Sequence, residues 1–397
     1  MDRRTIAAPT LVLVASLLFG AMSCSHDPRP LDDRLRVAIE KRLRQYDVKG
    51  ASAAVILPDS SVHCIAVGFS HDSVAVTPDM LFAIGSITKN MVASLVFQLA
   101  EEGALSLDDS LHRWLPDYAH IDRNITIRQL LAHTSGIFMF WENQKLWDDL
   151  IQYRDKVFTP EEVLTYLKEP HFAPGKGFRY SNTNYLLLAM IVTRATHSTV
   201  SAELRRRFWA PLGLNNTYLS MEEQTPDRLA HVWGDNFEKD GSNRDLTYLP
   251  RASHESITYG SSGVFTTPED LARWCRALFT GKVLSKSSMD QMLDFKRGGY
   301  GLGVHLINKR MTGGKKAYGH GGGNIGTSSY MVYLPDDDVS IAVSINYFHG
   351  KCPDRILEDI IDIVTDHLQH RRKQTVYAAA STPPWRRARP ALRAGDK

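Results

Sequence analysis

Little in this chain of 397 residues invites a metal ion or a disulfide framework. Four cysteines are present; Cys24 belongs to the N-terminal segment, which leaves Cys64, Cys275 and Cys352, an odd number that cannot close a complete set of bridges. One bridge at most remains open, and buried free thiols are the default expectation. None of the Cys and His spacings of zinc sites occurs, and the 15 histidines are scattered, so no metal and no other cofactor is expected. A surplus of one charge sign is lacking too, with Lys plus Arg at 47 and Asp plus Glu at 44. Eight of the bases and one acid fall within Arg371–Lys397; without that stretch, 39 basic residues face 43 acidic ones. A mildly acidic body without a clustered basic face gives no reason to expect nucleic acid as a partner. With 43% hydrophobic and 23% charged residues, the composition is globular, and the length allows one large domain or two smaller ones.

No long apolar run is present either. The N-terminal one, Ile6 to Phe19, is shorter than the ~20 residues that cross a bilayer. It follows Arg3 and Arg4 and precedes the small residues Ala21 and Ser23, so residues 1–23 read as an export signal. A cut before Cys24 suits a plain signal peptidase. The segment also resembles a bacterial lipobox, with Ala21 where Leu is usual, and lipidation of Cys24 is the favoured expectation. Two acyl chains anchor stably, which predicts an exported protein of the periplasm or cell surface that meets the membrane only through its N-terminus. Residues 24–30 read as a linker, and the basic stretch 371–397, with Pro383-Pro384 and Arg386-Arg387, as a disordered, solvated tail.

Between these ends, Leu35, Ile39 and Leu43 recur at four-residue spacing and mark one apolar face of a helix over Leu31–Gln45. Strand-like runs Ala51–Leu57 and Val62–Val67 flank the turn Pro58-Asp59-Ser60, which predicts a hairpin. From Phe82 to about Pro250 the periods are helical, with helices expected over Ile87–Glu102, Ile127–Ala132, Pro160–Lys168 and Asn184–Thr196. A further helix near Pro268–Phe279 has Thr267 as its cap and Glu269 and Asp270 in its first turn. Strands return at Gly301–Ile307, near Tyr318, at Ser329–Leu334 and at Val339–Asn346, and a helix at Ile356–Leu368 closes the pattern. Strands from both ends of the chain thus enclose a helical insertion. The expected fold class is α+β: one antiparallel sheet flanked by the N- and C-terminal helices, plus an all-helical subdomain at about 82–250, forming one domain over 31–370 with the cleft between the layers.

Three constellations carry chemistry. In Gly85-Ser86-Ile87-Thr88-Lys89, at the head of a predicted helix, three residues of helical spacing let the Lys89 amine reach the Ser86 hydroxyl. The helix N-terminus favours the anion that forms as Ser86 loses its proton. Alone, such a spacing arises about once by chance in a chain of this length. In Tyr180-Ser181-Asn182, the phenol can serve as a base only where a neighbouring cation such as Lys89 lowers its pKa. Asn182 is placed to orient Lys89, to hold a substrate carbonyl, or simply to cap the next helix. In His320-Gly321-Gly322-Gly323, consecutive glycines permit close backbone approach and aim N–H groups at a ligand, as an oxyanion hole requires.

In this order the three motifs resemble the serine penicillin-recognising enzymes of the class C β-lactamase type, with their D-alanyl-D-alanine carboxypeptidase and esterase relatives. The resemblance covers roughly Leu31–Leu368 and extends to Leu130-Leu131-Ala132-His133-Thr134-Ser135-Gly136, where His133 looks structural, and to Tyr300-Gly301-Leu302-Gly303. It implies the β-lactamase/transpeptidase-like fold and an acyl-enzyme route in which Ser86 attacks a carbonyl and Tyr180 with Lys89 takes its proton. The N–H groups of Ser86 and Gly323, beside Gly322, hold the oxyanion, and His320 supplies positive charge or relays a proton to the leaving group. Where the carboxypeptidases carry an Arg and a Thr that bind a substrate carboxylate, this chain has His305 and Gly323, so a bidentate cationic clamp is missing. The resemblance implies a small peptide or ester as substrate, peptidoglycan stem peptides among the candidates. D-alanyl peptides are the nominal substrate, a carboxylesterase is the alternative within the family, and a non-catalytic binder of cell-wall peptides is the alternative outside it.

Overall fold

A computed structural model describes residues 27–234, 243–247, 251–296, 298–348 and 350–381, with side chains to 374. The export signal and residues 24–26 of the linker, Cys24 among them, lie outside the described residues. Helix α1 (Leu31–Tyr46) buries Leu35, Ile39 and Leu43, the stripe its spacing predicts, and ends on Asp47 in the left-handed region at φ 50°. Strands β1 (Gly50–Ile56) and β2 (Val62–His71) form the expected hairpin, closed by a bond from the Ser60 N–H to the Leu57 carbonyl at 2.9 Å. Short β3 (Val74–Ala75) follows, then β4 (Phe82–Ala83) and the long helix α2 (Thr88–Glu101).

The insertion continues with helices α3 (Ile127–Leu131), α4 (Gln144–Gln152), α5 (Pro160–Leu164), α6 (Asn182–Thr196) and α7 (Val200–Leu204). It is not purely helical, however. Strands β5 (Thr217–Leu219), β6 (Trp233–Gly234) and β7 (Arg244–Asp245) fall inside it, and β4 and β5 both pair with β8 (Val264–Thr266) in a separate three-stranded sheet. Elements of two or three residues are too short to show a period-2 pattern, which is why the expectation of an all-helical subdomain fails here. Helix α8 (Ala252–Ile257) precedes β8, and α9 (Pro268–Phe279) follows it, its N–H at Asp270 capped by the Thr267 hydroxyl as predicted. After α10 (Lys286–Met292), strand β9 is only His305–Leu306, because Gly303, at φ 86°, breaks the longer run expected from Gly301.

Strands β10 (Tyr318–Asn324), β11 (Thr327–Leu334) and β12 (Val339–Ile345) complete a seven-stranded sheet in the order β3-β2-β1-β12-β11-β10-β9, every neighbour antiparallel. The chain's two ends therefore meet at β1 and β12, with Ala53 opposite Val343. Both strands are buried on both faces, since α1 and α11 (Cys352–Ser381) cover one side and α9 with the helical region the other. An Arg42–Asp359 pair at 2.7 Å ties α1 to α11. Helix α11 runs on to Ser381, past residue 371, so the first part of the stretch read as a disordered tail is helical; residues 382–397 lie outside the described residues. Cys64, Cys275 and Cys352 are free thiols.

Candidate active site

The turn between β4 and α2 carries the nucleophile candidate. Gly85 sits at φ 53°, and a Cβ there would overlap the Gly323 carbonyl oxygen; a Cβ on Gly322 would overlap the Ile84 carbonyl and lie 2.9 Å from the Ser86 nitrogen. The glycines let a backbone turn press directly against the β10 backbone, which sets Ser86 beside the Gly322-Gly323 segment. Substituting Gly322 by Ala should therefore cost about 1–3 kcal/mol of stability, read as a lowered urea midpoint. Gly321→Ala should cost less, because its Cβ would meet only the Tyr330 ring at 2.8 Å, a side chain that can move. Equal losses in the two variants would count against this packing argument.

Lys89, the second residue of α2, lies one turn on from Ser86 and is fully buried. Its Nζ is 2.8 Å from the Ser86 Oγ and donates at 2.8 Å to the Ser261 carbonyl. Burial pushes the amine's pKa well below its ordinary value. Burial therefore favours the neutral amine, whose lone pair is then available to the Ser86 proton. The same burial works against the Lys89 cation that the sequence expectation needs to acidify Tyr180. The Lys89 nitrogen lies 4.9 Å from the centre of the Tyr180 ring, and burial pushes the phenol upward, only partly offset by its nearness to Ser86. Its hydroxyl is buried without a formed hydrogen bond. Tyr180 is a protonated phenol beside the nucleophile, not a resting base.

Three imidazoles surround this pair. His133 accepts from the Ser181 N–H at 3.1 Å through Nδ1, which puts its proton on Nε2, and its ring packs 4.2 Å from that of Tyr180. It fixes the Tyr180 segment, as a structural residue would. His320 Nδ1 donates to the Gly321 carbonyl at 2.6 Å, so its Nε2 accepts from the Tyr300 hydroxyl at 3.1 Å. Both nitrogens are committed, and burial, then His305 and Lys89, push its pKa well down. The lowered pKa disfavours the positive charge expected of His320 and leaves it a ring hydrogen-bonded through both nitrogens. His305 meets Tyr300 edge-on at 4.5 Å, and burial, with Lys89, holds its pKa at about 4. Asn182 opens α6 without capping it, and its Oδ1 is buried without a partner. It does not orient Lys89, whose bonds go to Ser86 and Ser261.

A cavity of about 550 Å³ opens over Ser86, walled by Phe178, Tyr180, His305, Tyr330 and Phe348, with Gly321, Gly322 and Gly323 along one edge. None of its described lining residues is Asp, Glu, Arg or Lys. A second cavity of about 560 Å³, between Tyr118, Phe158, Met190 and Met221, contains neither Ser86 nor the glycine run. Among the described residues, no three His, Cys, Asp or Glu side chains gather so as to hold a metal ion. Ser261 acts through its carbonyl and has no side-chain signature in the sequence, and the bond between Tyr300 and His320 joins residues that no local pattern links. The aromatic walls Phe178 and Phe348 gave no signal at all.

Because the three neutral imidazoles exist as cations only when unfolded near pH 5, the unfolded chain binds more protons there and stability must rise with pH. For His305 the window runs from about pH 4 to its ordinary value of about 6.5. Unfolding in urea should show a stability roughly 2 kcal/mol lower at pH 5 than at pH 7 from this residue alone. Loss of that difference in His305→Asn would assign it; an unchanged slope would not.

A sequence model of the Beta-lactamase family matches residues 35–365. Penicillin-binding protein 4 of Amycolatopsis lactamdurans is 30% identical over 365 residues, covering 85% of this chain and 91% of that protein. Penicillin-binding protein 4* of Bacillus subtilis (strain 168) is 27% identical over 308 residues and 72% of this chain, which spans 64% of its length. Among solved structures, the D-amino acid amidase from Ochrobactrum anthropi SV3 complexed with L-phenylalanine amide superposes with a TM-score of 0.75 at 25% identity, over 86% of this chain and 99% of that one. A serine and a buried lysine one helical turn apart, set between an antiparallel sheet and a helical layer, thus coincide with a family match across most of the described fold: the chain belongs to the Beta-lactamase family of serine hydrolases.

Proposed function

We propose that the chain hydrolyses uncharged esters or amides through an acyl-enzyme on Ser86. The observation that carries this reading is the 2.8 Å contact between Ser86 and a buried Lys89, its pKa pushed down, in a cavity none of whose described lining residues is Asp, Glu, Arg or Lys. Ser86 Oγ attacks the substrate carbonyl carbon while its proton passes to Lys89 Nζ. The carbonyl oxygen, now an oxyanion, is received by the N–H groups of Ser86 and Gly323. Burial makes the resulting Lys89 ammonium a stronger acid than an exposed one. It returns the proton to the departing alcohol or amine, with the protonated Tyr180 hydroxyl beside it as a donor. Water then attacks the acyl-enzyme, Lys89 again taking the proton, and Ser86 leaves with it. His320 and His133 hold the walls in place.

The missing charges decide the substrate. A carboxylate entering this cavity would be stripped of water without an Arg among the described lining residues to receive it, and His305, with a pKa of about 4, is neutral. D-Alanyl-D-alanine peptides and β-lactams both carry such a carboxylate. The carboxypeptidase reading, favoured by the penicillin-binding relatives, and the amidase reading, favoured by the structural neighbour, are the second line. An exported, Cys24-anchored enzyme acting on envelope substrates is the setting we propose for either. Short p-nitrophenyl esters should be cleaved with a kcat/KM at least about 100-fold above that for D-alanyl-D-alanine, the value of one or two lost charged hydrogen bonds. Faster turnover of the anionic dipeptide, or of a D-amino acid amide, would move the assignment to the corresponding second reading.

A further inference from the structure

Glu255, on α8, is a buried carboxylate that the mechanism above does not use. Its Oε1 accepts a hydrogen bond at 3.1 Å from the side-chain amide of Asn324, the last residue of β10 and the immediate neighbour of Gly323. The same amide lies 3.4 Å from the Ser262 hydroxyl, and Asn324 Oδ1 accepts from the Ile325 N–H at 2.6 Å. The helix that carries Glu255 also carries the turn that receives Lys89. Thr258 donates its N–H to the His254 carbonyl at 3.1 Å, Ser261 donates its N–H to the Thr258 carbonyl at 2.9 Å, and the Ser261 carbonyl accepts from Lys89 at 2.8 Å. One short helix thus holds both the base, through Ser261, and the glycine strand, through Asn324. Around the carboxylate stand His254, with Nδ1 3.7 Å from Oε1, and Arg251. Glu255 Oε2 itself is buried without a partner.

We infer that the Glu255–Asn324 bond is a positioning clamp that fixes the spacing between the Gly323 N–H and the Lys89 amine, so that attack and proton transfer at Ser86 occur in register. The clamp touches neither substrate nor reacting atoms. A misplacement of about 1 Å at such a centre costs roughly 100-fold in rate, whereas the binding cavity, walled by other residues, is left in place. The expected signature is therefore a fall in kcat with little change in KM.

This inference rests on Ser86 as the nucleophile, and the experiment separates the two. The full chain and its variants are treated with a fluorophosphonate, which phosphonylates an activated serine, and the labelling rate is measured alongside p-nitrophenyl ester kinetics. Glu255→Ala and Asn324→Ala should each lower both the labelling rate and kcat about 10- to 100-fold, with KM changed less than about threefold and the double variant no worse than the singles. Glu255→Gln, whose amide oxygen can still accept from Asn324, should recover most of the rate. If Glu255→Ala does not fold, Asn324→Asp decides: it sets two carboxylates against each other and should show the same kcat loss. Wild-type labelling at the rate of Glu255→Ala or of folded Asn324→Asp would overturn the clamp, as would Glu255→Gln failing as badly as Glu255→Ala. Absence of labelling in the wild type would instead overturn the nucleophile, and the clamp with it.

Discussion

Ser86→Ala is expected to lower kcat/KM on a short p-nitrophenyl ester by at least about 10⁴-fold, the scale seen when a covalent nucleophile is deleted while its binding site survives. The substitution removes one oxygen from a turn whose shape is set by Gly85 and Gly322, not by the hydroxyl. Lys89 keeps its bond to the Ser261 carbonyl, so the base stays in place. The variant should fold with an unchanged urea midpoint and bind ester with a similar affinity. A small residual rate is consistent with the proposal, because the N–H groups at Ser86 and Gly323 act through the backbone and remain. Turnover within tenfold of wild type would place the nucleophile elsewhere.

Lys89→Met should lower kcat by about 10³-fold, within the range for loss of a positioned general base. The second half of this expectation is unusual: the variant should be no less stable than wild type. Lys89 is fully buried, and no carboxylate contributes to its shifted pKa; burial alone lowers it. An amine in that setting is retained at a cost to folding, and a thioether of similar length relieves it, at the expense of the Ser261 carbonyl losing its donor. Lys89→Arg should not rescue activity, since a guanidinium is permanently charged and has no lone pair to accept a proton. Rate measurements paired with urea midpoints check both halves. An active Lys89→Met, or a Lys89→Arg near wild type, would remove Lys89 from the role of base.

The pair behind these two predictions was readable in the sequence because a helix turns Ser86 and Lys89 onto one face whatever surrounds them. Protonation states were not. Tyr180 is legible, yet its expected role as a base assumes a charged Lys89; only the packing around α2 shows that burial pushes the amine toward its neutral form. His320 was found as well, but its bonds to Gly321 and Tyr300 depend on a strand edge and a loop 20 residues away that no local pattern joins. Ser261 and the Glu255–Asn324 bond come from contacts far apart in sequence, one of them through a backbone oxygen. For the fold, the long amphipathic α1, the β1–β2 hairpin and the Thr267 cap declared themselves through spacing and turn chemistry. Strands β4, β5 and β8, of two or three residues each, exist only because they pair with one another. The extension of α11 to Ser381 runs through a basic stretch whose composition gave it no helical mark.

The central claim is that a covalent intermediate forms on Ser86, and the most direct measurement is intact-mass analysis of the protein quenched within its first turnovers on p-nitrophenyl butyrate. The account predicts a species heavier by one butyryl group, mapped by peptide analysis to Ser86 and absent from Ser86→Ala. An adduct that persists in Ser86→Ala, or full ester turnover with no adduct on Ser86 under saturating substrate and rapid quench, would contradict it.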